Sequence, residues 1–153
     1  MKSELKIKEL LYAECLKSIQ QRFKAIKHTI EEIQRSLTSE TKSSAGDKHE
    51  TGRAMLQLER EKAGNQLAEI QKTKELLSKI DVFKSSKKVS LGSLVYTSNA
   101  NYFIAISAGE LTIENNTFYA ISSNTPIGKL LMSKSVGDAI QFREQRFKIE
   151  KVI

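Results

Sequence analysis

A chain of 153 residues, 39% hydrophobic and 28% charged, has the composition of one or two small folded domains, which excludes disorder as its resting state. The net charge of +7 points to an anionic partner: nucleic acid, an acidic protein surface or an anionic membrane. It is spread, +4 over residues 1–84 and +3 over 85–153, so no polybasic arm marks a DNA binder and DNA binding is expected to be weak or absent.

The opening Met-Lys-Ser-Glu-Leu-Lys is charged and leads into no apolar stretch, so no signal peptide is expected. No apolar run approaches the roughly 20 residues that span a bilayer. The single cysteine, Cys15, cannot form an internal disulfide and fits a reducing cytoplasm, where it is expected to be a small buried residue of a helix seam. From Leu16 the apolar positions run Leu16, Ile19, Phe23, Ile26, Ile30, Ile33 and Leu37, with spacings of 3, 4, 3, 4, 3 and 4. That is the seam of a coiled coil, and it predicts a helix over about 3–38. Thr38 to Gly46 has no large apolar side chain, is rich in Ser and Thr, and reads as the tip of a hairpin. Apolar periodicity resumes at Leu56, Ala63, Leu67, Ile70 and Leu77, which predicts a second helix over about 47–83. Residues 1–84 therefore form an antiparallel coiled-coil hairpin with its tip near 38–50. Such a rod has much surface and little core, a design for reach.

Residues 85–90 are a polar linker, and the period changes after them. Ser93–Thr97, Tyr102–Ser107, Thr117–Ser122, Ala139–Arg143 and Arg146–Val152 are short and rich in β-branched or aromatic residues, so they predict strands. Turns are expected at Asn99–Asn101, Glu114–Asn116 and Val136–Asp138. Pro126 is the only proline and suits the first turn of a short helix that includes Ile127, Leu130 and Leu131. Residues 91–153 are thus a small sheet domain with one helix, and the chain is α+β.

Two stretches resemble the bacterial Gre-type transcript cleavage factors of RNA polymerase. One is Ile121-Ser-Ser-Asn-Thr-Pro-Ile-Gly-Lys-Leu-Leu131 with Lys134-Ser-Val-Gly-Asp138, similar to that family's strand, Ser-Pro-Ile/Leu-Gly, helix and Lys-x-x-Gly-Asp turn. The other is Gly46-Asp-Lys-His-Glu50, similar to the family's acidic hairpin tip. The order of modules matches as well. The resemblance implies an FKBP-like C-terminal domain that docks on RNA polymerase through Asn124, Thr125, Pro126 and Ile127. It implies a hairpin that enters the secondary channel, where Asp47 and Glu50 help the polymerase active site hold Mg²⁺ and hydrolyse a backtracked transcript. The protein would then be no autonomous enzyme: it would stimulate a cleavage intrinsic to the polymerase, would bind no metal tightly when free, and would meet the RNA 3′ end only indirectly. The sequence departs from the family pattern at Lys48-His49 between the acids, at Thr51-Gly-Arg-Ala54 after them, at Thr125 in place of Ser, and at Ser133 in place of Gly.

Read from the residues alone, Asp47 and Glu50 are also a helix-capping pair. Two carboxylates are few for Mg²⁺, which keeps waters and takes further oxygens from substrate phosphates. Arg53 and Arg60, with Lys62, are candidate transcript contacts or ordinary members of a charged helix face. His28 is expected on a solvated face and His49 at the tip. One cysteine and two separated histidines support no zinc site, and no phosphate loop or catalytic triad appears. Three functions remain open: a channel-entering cleavage factor, a channel-entering regulator that does not cleave, and a structural or chaperone-like coiled coil without a polymerase partner.

Overall fold

The computed structural model describes the backbone of residues 3–42 and 47–153 and the side chains of 3–40 and 50–153. Two long helices, α1 (Glu4–Lys42) and α2 (Asp47–Ser78), precede six strands and one short helix: β1 (Leu94–Thr97), β2 (Asn101–Ile104), β3 (Gly109–Ile113), β4 (Asn116–Ile121), α3 (Pro126–Leu131), β5 (Ala139–Phe142) and β6 (Gln145–Val152). The chain is α+β, as its periodicity predicts. It divides into two compact units, one of residues 1–18 with 75–153 and the other of 19–74.

In the unit of residues 19–74 the two helices pack side by side through Ile26, Ile33 and Ala63, with Ile30, Leu37, Leu56, Leu67 and Ile70 around them. Glu40 of α1 faces Gly52 of α2, and Lys74 of α2 lies over the Phe23 ring of α1 at 4.3 Å, so the helices run antiparallel. α1 runs beyond its predicted end. Thr38 returns its hydroxyl to the carbonyl of Gln34 at 3.0 Å, which lets a β-branched polar residue sit inside the helix. The predicted tip overlaps this extension, and residues 43–46 lie outside those described. The seam also departs from expectation at Leu16, which is 37% exposed.

In the other unit the buried row on α1 is Ile7, Leu11 and Cys15, spaced by four. α2 ends at Ser78, earlier than predicted. Lys79 and Ile80 donate to the carbonyls of Leu76 and Leu77, a tightened last turn, and the Asp81 carboxylate takes the amide of Phe83 at 3.0 Å. The strand order is β3-β4-β2-β1-β6-β5, antiparallel throughout except for the parallel pair β2–β4. One face carries a core of Val89, Val95, Ile104, Leu131, Ile140, Phe147 and Ile149, against which Ile127 of α3 packs. Phe103 and Phe118 alternate to the opposite face and are fully buried. Five strands lie where predicted. The sixth, β3, is an edge strand not among those predicted, in which half-buried Leu111 and Ile113 alternate with exposed Glu110 and Thr112. It is joined to β4 by Glu114 and Asn115, both at positive φ, the geometry of a type I′ hairpin turn.

Candidate functional site

Asp47 is the first residue of α2, and Glu50 follows three positions later in the same helix. Glu50 is solvent-exposed. The side chains of Asp47, Lys48 and His49 lie outside those described. Arg53 and Arg60 are half-buried and Lys62 is exposed. The Arg60 guanidinium is laid over Gly64, 3.1 Å from where a Cβ would stand, so this glycine gives the arginine room to lie along its own helix. A groove of about 640 Å³ runs between the helices at Ala25, Ile26 and Ile70, flanked by Arg22, Lys62 and Glu69. Among the described residues no three His, Cys, Asp or Glu side chains gather into a metal-binding group. His28 is exposed and meets Glu32 at 3.1 Å, as expected of a solvated face.

The candidate docking loop is built around Thr125. Its backbone is extended, with φ −70 and ψ 157, and it caps α3: Oγ1 accepts from Gly128 N at 3.1 Å and donates to Ser122 O at 2.7 Å. Pro126 follows at the first turn, where its missing N–H costs nothing. Asn124 and Pro126 are exposed, whereas Thr125 is half-buried and Ile127 packs against the sheet core. The four residues are therefore contiguous, but only two present themselves outward; Leu130, one turn on, is 38% exposed and was not singled out from sequence. Gly128 explains the Pro-Ile-Gly pattern. A Cβ there would meet Ser122 O at 2.3 Å and Thr125 Oγ1 at 2.8 Å, so only glycine lets the loop close on the helix. Ser133, just past the helix, has φ 67, a left-handed conformation that suits glycine.

A third cluster holds α1 to the sheet. Glu4 pairs with Lys151, and Tyr12 donates to Leu77 O at 3.3 Å. Between them the fully buried Lys8 amine donates to Lys84 O at 3.2 Å and Ile153 O at 3.3 Å. The three residues are spaced by four and so form one polar stripe on α1. Burial lowers the Lys8 amine from its usual value, and the nearby Asp81 charge opposes that in part.

No protein-family model matches the chain, and no curated protein does. Among solved structures, the GreA factor homolog 1 (Gfh1) protein of Thermus thermophilus is 17% identical, with 88% of this chain and 92% of that chain covered and a TM-score of 0.35. A second structure, of the transcription factor Gfh1, is 18% identical, with 88% and 90% covered and a TM-score of 0.35. No described helix is long and apolar enough to cross a membrane.

Proposed function

We propose that this protein is an RNA polymerase-binding transcription elongation factor. Its hairpin enters the secondary channel, and its tip acids stimulate hydrolysis of backtracked transcripts by the polymerase. The observation that supports this most is the pairing of reach with acid. Helices of 39 and 32 residues run antiparallel, and the return helix opens on Asp47 with Glu50 one turn behind. The Thr-Pro-Ile-Gly loop at the far end of the sequence adds the docking element. Asp47 and Glu50 would be the metal-holding residues and the catalytic contribution. As a donor set, two carboxylates fit Mg²⁺ only where polymerase and transcript phosphate supply the remaining oxygens. Asp47 and Glu50 would help hold the ion there, and it would supply activation of a water and stabilisation of the leaving oxygen. On this reading the free chain is no enzyme and holds no metal tightly.

A second reading, a channel-occupying regulator without cleavage, is favoured by Lys48 between the acids, whose positive charge would compete for the same carboxylates, with His49 beside it. One experiment addresses both. The full chain is mixed with core RNA polymerase in stalled complexes and transcript length is followed, for wild type, Asp47→Ala and Glu50→Ala. Shortening by wild type alone supports cleavage. Binding without shortening supports the regulator. A chain that does not co-purify with polymerase overturns both.

A further inference from the structure

Tyr102 and Tyr119 are register partners in the parallel pair β2–β4, and Glu110 is the partner of Tyr119 across β3–β4. Partnered residues share a face, so the three side chains stand in a row over three strands. The two rings are 6.2 Å apart and tilted by 39°. With Thr117 and the turn Asn99–Asn101 they line a cleft of about 480 Å³. It lies at the starting ends of β2 and β4, whereas the Asn124–Pro126 loop follows the opposite end of β4. The cleft is thus separate from the docking loop and does not depend on its role.

The chemistry of this cleft is one-sided. It contains one carboxylate and no ammonium or guanidinium group. Glu110 is exposed, and no cationic side chain among the described residues pairs with it. Burial, and after it the neighbouring Tyr119, raises the Tyr102 hydroxyl above its usual value, so the phenol stays neutral. A chain of net charge +7 therefore sets two aromatic faces beside a free negative charge, which attracts a cation. A nucleic acid would meet no lysine or arginine here to neutralise its phosphates. Of the cations a protein can present, arginine fits the surroundings better than lysine. Its planar group stacks on a ring while two N–H groups meet a carboxylate. Asn99 already donates its amide to Gln145 Oε1 at 3.1 Å, which leaves the Asn99 oxygen to accept a further N–H.

We propose that the Tyr102–Tyr119–Glu110 cleft is a docking site for an arginine side chain presented by a partner protein. The test is nuclear magnetic resonance of the full chain with ¹³C-labelled tyrosine. The probes are acetyl-Gly-Arg-Gly-amide, its lysine counterpart and the dinucleotide UpU. The arginine peptide should shift the Tyr102 and Tyr119 ring signals saturably and more tightly than the lysine peptide. Glu110→Gln should weaken it about tenfold, the effect of losing a charge-assisted fork. Tyr119→Leu should weaken it by a similar factor, with the backbone spectrum elsewhere unchanged in both variants. Absence of a saturable shift, equal affinity in Glu110→Gln, or tighter binding of UpU would each overturn the proposal, the last in favour of a nucleobase.

Discussion

Around α3 two positions decide the local backbone in opposite ways. Gly128 sits where any side chain would strike the carbonyl of Ser122, and that backbone atom cannot swing aside. Gly128→Ala must push the loop off the helix, at a cost of about 1–3 kcal/mol, and should disturb Asn124 and Pro126 as well. Ser133 holds a left-handed conformation with a Cβ that disfavours it. Ser133→Gly should therefore stabilise the chain, by up to about 1 kcal/mol after the added freedom of the unfolded glycine is subtracted. Urea denaturation of the two variants should move the midpoint in opposite directions. Lys8 provides a pH-dependent counterpart. Lys8→Met leaves the Lys84 carbonyl without its side-chain donor and should cost about 1–3 kcal/mol. Because burial lowers the folded pKa below the usual 10.5, the unfolded chain binds the proton more tightly between those two values. The advantage of wild type over Lys8→Met should then stay flat below the folded pKa and grow as pH rises through it towards 10.5. A constant difference across that range would mean that Lys8 titrates alike in both states.

At the level of elements, the sequence carried the helices more securely than their packing phase. The heptad spacing names Leu16 and Ile19 as equivalent seam residues, yet Leu16 is 37% exposed and Ile19 fully buried. In the unit of residues 1–18 and 75–153, α1 has the sheet's last strand as a neighbour as well as α2, through Glu4–Lys151 and Lys8–Ile153. Its buried row there is spaced by four, a phase that a two-helix pattern does not encode. Ile19→Ala should accordingly cost about 2–5 kcal/mol and Leu16→Gln no more than about 0.5 kcal/mol, compared by thermal or urea unfolding. Equal losses would restore the heptad assignment. Strand β3 escaped prediction although Glu110-Leu111-Thr112-Ile113 alternates, because the run is short and its two apolar residues are only half-buried at a sheet edge. The turn after it was legible, because Asn115 is a residue that tolerates positive φ. The Pro126 helix start and its Thr125 cap were equally legible, being local. Which of Asn124, Thr125, Pro126 and Ile127 face outward was not, since that depends on how α3 meets the sheet. The Tyr102–Tyr119–Glu110 row was hidden altogether, because a parallel pairing between distant strands assembles it.

For the whole molecule, the proposed function divides between two places in the sequence, and the division can be tested. If the Asn124–Pro126 loop docks and the Asp47–Glu50 turn acts, their variants must fail differently. Thr125 and Ile127 are poor probes of docking, because one caps α3 and the other packs on the core. Asn124→Glu with Leu130→Glu alters exposed positions only and should leave the fold intact. It should weaken polymerase binding about tenfold or more, the effect of spoiling one good interface contact. Transcript shortening should return when the concentration of this variant is raised to saturation, because its tip is unchanged. Asp47→Ala should show the reverse: wild-type affinity for polymerase and no shortening at any concentration. Loss of a helix cap costs about 1 kcal/mol, too little to melt helices packed through Ile26, Ile33 and Ala63, so unfolding would not explain that result. A double variant, Lys48→Leu with His49→Ser, then separates the two readings of the tip. If wild type binds without cleaving and this variant cleaves, Lys48 and His49 between the acids are what silence them. If neither cleaves while both bind, the carboxylates act as a cap and the hairpin works by occupying the channel.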